Sequence, residues 1–185
     1  MNRLSSLSSQ LNSFPGRDFL KYFKHHSTEE ISIRELEESD YKNGFLDLFG
    51  QSGKPLEIHL KDFNEVLKSI KASPNLHLII VAVEKRSNKV IGAGTLIIEK
   101  KFIRDLGIIG HILDISVDTK WTGKHVGKNI VECLTRIAFE TEKVYKCIVG
   151  SSEKNVPFFQ KANFKIVQKN MAITSQSFDQ KYTRV

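Results

Sequence analysis

Cysteine is scarce in this 185-residue chain, where only Cys133 and Cys147 occur. Two are too few for a disulfide framework, and they match no metal or redox spacing. Cys133 falls in an amphipathic helical pattern and Cys147 in a strand pattern. Both read as buried free thiols in a reducing, cytoplasmic compartment. No run approaches the roughly 18 apolar residues of a membrane-spanning helix, which speaks against a membrane protein. Internal repeats and long low-complexity segments are missing. So is the basic–aromatic strand motif by which a sheet binds RNA.

Apolar residues make up 40% of the chain and charged residues 26%, an ordinary globular composition. It suffices for one domain, or one domain with a tail. The formal net charge is +7 and the isoelectric point about 9.4. That balance favours anionic partners, whether nucleic acid, a membrane surface or phosphorylated small molecules. A basic nucleic-acid-binding module is the non-enzyme alternative, with only the charge behind it. The expected partners are small molecules, with no nucleic acid and no membrane.

Residues 1–29 form a separate zone. Met1 to Gln10 holds four serines and no acidic residue, and Arg3 and Arg17 are the only arginines before Arg34. That bias suits a transit peptide, but Asp18 interrupts it, so a tail or docked segment is expected. Phe19 to Phe23 can dock as a short helix. The main domain, 30–185, opens with apolar alternation at Ile31 to Leu36, a half-buried strand. Ser39 or Asp40 is the expected cap of a helix carrying Tyr41, Phe45, Leu48 and Phe49. A second helix spans Leu56 to Lys71, with Leu60, Phe63, Leu67 and Ile70 on one face. Strands follow at His77–Glu84, Val90–Ile98 and Gly107–Val117. Gly92 and Gly94 inside the second of these suggest a bulge or a close backbone approach.

Ile130, Val131, Leu134, Ile137 and Ala138 mark an amphipathic helix ending near Thr141. Val144–Val149 reads as a strand and Glu153–Lys161 as a short helix. Phe164–Val167 and Met171–Thr174 read as a closing strand pair. The alternating order implies a mixed α/β layer fold. Its centre is Gly107 to Lys128, a strand, a tight basic glycine loop and a helix start. Helix N-termini present unpaired N–H groups and positive partial charge, so phosphate suits that junction.

The strand–loop–helix at Asp114 to Lys128, with Glu153-Lys154-Asn155-Val156-Pro157-Phe158-Phe159-Gln160-Lys161-Ala162-Asn163-Phe164, resembles the GNAT acetyltransferase superfamily. A closer resemblance, over about residues 31–175, is to its glucosamine 6-phosphate N-acetyltransferase branch. It is carried by Glu84-Lys85-Arg86, Ile97-Ile98-Glu99-Lys100-Lys101-Phe102-Ile103, Gly110-His111-Ile112-Leu113-Asp114-Ile115-Ser116-Val117 and Glu153-Lys154-Asn155-Val156. The start at Ile33-Arg34-Glu35-Leu36-Glu37-Glu38-Ser39-Asp40 is similar too.

The resemblance implies the GNAT acyl-coenzyme A acyltransferase fold, a mixed, mostly antiparallel sheet flanked by helices. It implies acetyl-coenzyme A as cosubstrate, no metal, and direct attack of the glucosamine 6-phosphate amine on the thioester. The product, N-acetylglucosamine 6-phosphate, leads to UDP-N-acetylglucosamine. It places the coenzyme pyrophosphate on Thr122, Gly123, Lys124, His125, Val126, Gly127 and Lys128. Ile115, Ser116 and Val117 would pair with the pantetheine arm and polarise the thioester carbonyl. Asn155 would hold the coenzyme, with Phe158 and Phe159 packing around its arm. Leu113 and Asp114 would face the sugar, and Lys100, Lys101 and Arg104 are candidates for its phosphate. A homodimer sharing its sugar sites is implied as well.

Several positions depart from the branch. Thr122 and His125 replace the first residue and the middle glycine of the loop. Leu113 stands where an acid is usual, Gly150-Ser151-Ser152 replaces acidic residues, and Phe159 replaces a hydrogen-bonding tyrosine. A terminal arginine is absent near Thr174. A divergent active enzyme, one acting on another amine (of a protein or peptide), and a catalytically weak relative all stay open. Asp114 is expected as a catalytic or substrate contact. His111 is the available replacement acid/base. Strand alternation would put it on the face opposite Asp114, and a packed strand histidine is its alternative reading.

Overall fold

The computed structural model describes residues 19–51, 55–140, 142, 144–167 and 171–172. The chain divides into two units, residues 1–149 and 150–185. The first is built on a five-stranded sheet of β1 (Ile31–Glu35), β2 (His77–Glu84), β3 (Lys89–Lys100), β4 (Ile108–Val117) and β5 (Lys146–Val149), in that spatial order. The apolar, β-branched runs that suggested these strands suit a pleated, buried surface. β1 through β4 pair antiparallel, and β4 pairs β5 in parallel. A parallel pair needs a crossover, here the helix after β4.

Apart from a four-residue turn at Ile103–Leu106 whose Arg104 and Asp105 are left-handed, the helices of this unit are α1 (Leu20–His26), α2 (Asp47–Gly50), α3 (Leu60–Ala72) and α4 (Val126–Glu140). The apolar stripe of α4 is buried on one face of the sheet, with Ile130, Leu134 and Ile137 fully excluded from solvent. It sits close because β3 has glycines beneath it. A Cβ on Gly92 would meet Val126 Cγ1 at 2.8 Å, and one on Gly94 would meet Ile130 Cγ2 at 2.6 Å. The other face carries a second cluster of Leu36, Phe45, Leu48, Phe63, Leu67, Val81, Val83 and Ala93. α1 docks against α4 and β1 through buried Phe19, Tyr22 and Phe23.

Three expectations are corrected. The helix expected over Tyr41 to Phe49 is a 3-10 turn at Glu38–Tyr41 followed by the four-residue α2. Gly44, at φ +89, breaks the run, yet Phe45 and Leu48 still reach the core. Helical spacing there reflected burial rather than a continuous helix. The N-cap is Glu37 rather than Ser39 or Asp40; Asp40 is buried in the turn and closes a capping box there, taking the Glu37 N–H at 2.9 Å while Arg34 grips it at 2.7 and 2.8 Å. The hydrogen bond to Asp40 raises the Arg34 guanidinium above its ordinary value. α3 begins at Leu60 rather than Leu56; His59 before it is extended.

In the second unit a 3-10 turn, Glu153–Asn155, runs into α5 (Val156–Lys161), which has proline in its first turn. Phe159 is buried there, 4.9 Å from the Phe158 ring centroid and 6.0 Å from that of Phe164. The expected strand at Phe164–Val167 is not formed. Phe164 N–H instead closes a turn on the Phe159 carbonyl at 3.0 Å, and Ile166 and Val167 are exposed. Met171 and Ala172 are not in a strand either. Ile173 and Thr174 lie outside the described residues. Among the described residues, no helix is long and apolar enough to cross a membrane.

Candidate functional site

β4 changes character halfway along. Thr95 pairs with Leu113, but Ala93 pairs with Ser116, so β4 carries one residue more than β3 across this step. The extra residue makes a bulge, with Asp114 in the left-handed region at φ +53. A bulge bends a strand and re-aims its side chains. Before it, Gly110 lies against Ala138 of α4; after it, Ile115 packs toward Ile130 and Leu134 of the same helix. The face seen by α4 therefore passes from even to odd positions. Ser116 turns the other way, and its hydroxyl donates to the Leu48 carbonyl at 2.9 Å. Strict alternation does not run through this segment, so it no longer separates His111 from Asp114.

β5 stops at the same place. Its parallel pairing covers Ile109 to Ile112 and goes no further. Among the described residues of the first unit, the Leu113–Val117 edge facing away from β3 has no strand partner. Its amides and carbonyls form an edge to which an extended ligand can add as a strand.

The loop after β4 is pinned by Asp118. This buried residue donates its N–H to the Ile91 carbonyl at 2.9 Å, accepts from Lys120 N–H at 2.9 Å and from the Lys89 ammonium at 2.8 Å. The Lys89 contact holds the Asp118 carboxyl below its usual range, and Asp118 in turn raises Lys89. Gln51 accepts from Thr119 N–H at 2.8 Å. The chain then turns through two left-handed positions, Gly123 at φ +82 and His125 at φ +62. Nothing lies within 4 Å of a Cβ on Gly123.

His125, in place of glycine, takes the conformation the loop demands, at a cost of about 1–2 kcal/mol. Among the described residues, the N–H groups of Val126, Gly127 and Lys128 open α4 without backbone acceptors, an arrangement suited to phosphate. Thr122, Gly123, Lys124, His125 and Lys128 are exposed, whereas Val126 and Gly127 are buried. The Lys124 ammonium lies over the Trp121 ring at 4.4 Å, and Lys128 stands 3.7 Å from Glu132.

The remaining candidates are less concentrated. Leu113 and Asp114 are exposed at the bulge. Lys100 is exposed, Lys101 is held by Glu99, and the Arg104 guanidinium lies 5.6 Å from the Tyr145 ring. His111 Nε2 bonds Glu99 Oε2 at 2.8 Å. Asn155 is exposed in the second unit, with its N–H on the Ser152 carbonyl at 2.9 Å. Burial pushes Cys133 up to about 12 and Cys147 up to about 11, so neither thiol is a ready nucleophile.

Sequence reasoning missed Asp118, Lys89, Gln51 and Glu99. Asp118-Thr119-Lys120 did carry a signal, since aspartate bonding the N–H two residues on is an Asx turn. The partners Lys89 and Gln51 lie too far away in sequence to be read.

A strand bulged and freed from its neighbour, running through a glycine loop into a helix N-terminus, defines an acyl-coenzyme A-dependent acyltransferase of the GNAT type. The chain belongs to the acetyltransferase (GNAT) family, whose model matches residues 31–164. Among its relatives, the glucosamine 6-phosphate N-acetyltransferase of Arabidopsis thaliana is 36% identical over 133 residues, 72% of this chain and 89% of that one. Glucosamine 6-phosphate N-acetyltransferase 1 of Dictyostelium discoideum is 37% identical over 135 residues, 73% of this chain and 85% of that one. The crystal structure of the Arabidopsis enzyme superposes with a TM-score of 0.75 at 33% identity, covering 80% of this chain and 99% of that one.

Proposed function

We propose that this protein transfers the acetyl group of acetyl-coenzyme A to the amine of glucosamine 6-phosphate, forming N-acetylglucosamine 6-phosphate on the route to UDP-N-acetylglucosamine. The observation that carries this is the Leu113–Val117 edge, with no strand partner among the described residues, leading into the open N–H groups of α4. A long arm with amide groups suits the first and a pyrophosphate the second. The pantetheine arm pairs with the main chain of Ile115 and Val117. The pyrophosphate takes the N–H groups of Val126, Gly127 and Lys128, with Lys124 and Lys128 adding charge.

The chemistry is addition and elimination at the thioester carbon. The neutral amine forms the C–N bond, the carbonyl oxygen gathers charge, and the C–S bond then breaks. Backbone N–H groups on the open edge supply the oxyanion stabilisation. Asp114, exposed at the bulge, is assigned to the acceptor. Lys100 is the better candidate for the sugar phosphate, because Glu99 already neutralises Lys101. The protein acts as a homodimer. The exposed Phe102, Ile103 and Leu106 on the β3–β4 connection supply an apolar surface for that contact.

Thiol release from acetyl-coenzyme A, measured with glucosamine 6-phosphate and a panel of peptide and small amines, tests the proposal. Glucosamine 6-phosphate is expected to give the highest kcat/KM. Coenzyme binding with no turnover of the sugar would overturn the substrate assignment. A different amine is the competing reading, and Leu113 favours it: an exposed leucine beside Asp114 offers no hydrogen bond to a sugar hydroxyl.

A further inference from the structure

The face of the sheet opposite α4 carries a hydrogen-bonded cluster of His111, Glu99 and Lys101 next to the bulge. His77, Ile97 and His111 form one row across β2, β3 and β4, and Ile79, Thr95 and Leu113 form the next. Residues directly opposite in antiparallel strands point to the same side, so His111 and Leu113 share a face. His111 is 31% exposed. Its Nε2 lies 2.8 Å from Glu99 Oε2, and the other oxygen of Glu99 holds the Lys101 ammonium.

Resting on the acetyl transfer proposed above, we infer that His111 is the base that removes a proton from the acceptor ammonium, with Glu99 as its positioning residue and Lys101 as the group that keeps Glu99 in place.

The hydrogen bond determines the tautomer. Lys101 and His111 hold the Glu99 carboxyl below its usual range, so it stays ionised and can only accept. Nε2 must then carry the hydrogen, which leaves the lone pair on Nδ1. Nδ1 has no partner among the described residues. One proton passes from the ammonium to Nδ1, and the imidazolium so formed is stabilised by Glu99. The freed amine forms the C–N bond, and the C–S electrons leave with sulfur. As the amide forms, nitrogen loses its second proton, which neutralises the thiolate. The proton on His111 returns to solvent.

The other titratable groups toward this histidine are few. Lys101 is bound to Glu99, and β5 presents Ile148 opposite His111. Asp114 acts on His77, where burial outweighs it and keeps that imidazole neutral.

Two measurements on the full-length protein test the inference. The first is steady-state acetyl transfer to glucosamine 6-phosphate by wild type, His111→Asn, Glu99→Gln and Glu99→Asp. His111→Asn is expected to lower kcat about 100-fold and Glu99→Gln about 10-fold or more. KM for acetyl-coenzyme A should stay within about twofold, and Glu99→Asp should recover most of the loss. The second is the imidazole ¹⁵N spectrum of His111, which is independent of turnover. It should show Nε2–H with a bare Nδ1 in wild type and lose that preference in Glu99→Gln. A His111→Asn enzyme within threefold of wild type, or a hydrogen on Nδ1, overturns the role of His111. Wild type that binds coenzyme but acetylates no amine, with the Nε2–H tautomer intact, overturns the acetyl-transfer reading itself and the base role with it.

Discussion

Asp118 does the most for the loop at the end of β4, since it binds one backbone N–H of the loop and a lysine 29 residues away in sequence. Its folded carboxyl titrates below the unfolded value of about 3.9, chiefly because of Lys89. Its contribution is therefore complete above that pH and is lost as pH falls through the folded value. Lys89 is raised, so its share is complete below its unfolded value and is lost as pH rises through the folded one. Between these limits, Asp118→Ala is expected to destabilise the protein by about 1–3 kcal/mol. In urea unfolding, the gap between variant and wild type should be level from about pH 5 to 9 and narrow below about pH 4. A gap that stays constant to about pH 2 would show that the ion pair is not its source.

β3, β4 and α4 work as one device. The bulge at Asp114 lies opposite Gly94, and a Cβ there would also run into Ile115 Cδ1 at 2.6 Å. Bulge, glycine and helix therefore depend on each other: the glycine lets α4 approach, and α4 presses Ile115 into the position the bulge creates. Gly94→Ala is expected to cost about 1–3 kcal/mol through overpacking. It should also weaken coenzyme binding, because Ile115 carries the open edge. Thermal unfolding with and without coenzyme A measures both. A variant as stable as wild type, with unchanged affinity, would disprove the coupling. Gly92 and Gly94 were legible as a bulge or a close approach, and they serve both. The helix misread over Tyr41 to Phe49 shows the converse, since helical spacing of apolar residues says that they are buried and not that the backbone between them is helical.

At the scale of the molecule, the proposed homodimer has a stated surface. Phe102 is 96% exposed and Ile103 65%, on a connection whose next residues, Arg104, Asp105 and Leu106, all lie in the left-handed region. Sedimentation at micromolar concentration is expected to give twice the chain mass for wild type. Phe102→Ser with Ile103→Ser should shift the population toward monomer. A monomeric wild type, or a dimer indifferent to both changes, would reject this surface.

The order of the five strands, the glycine loop and the start of α4 were legible because each is written in neighbouring residues: β-branched runs, a Gly-x-x-x-Gly turn and a 3.6-residue stripe on α4. The phosphate site proposed there uses backbone N–H groups and needs little more than that, so Thr122 and His125 are compatible with it. The bulge that turns Ile115 toward α4, the end of β5 pairing at Ile112, the grip of Glu99 on His111 and the anchoring of Asp118 by Lys89 were decided only in the folded chain. Each depends on strand register or on a partner 12 or more residues away, and register is settled by the packing of both sheet faces at once.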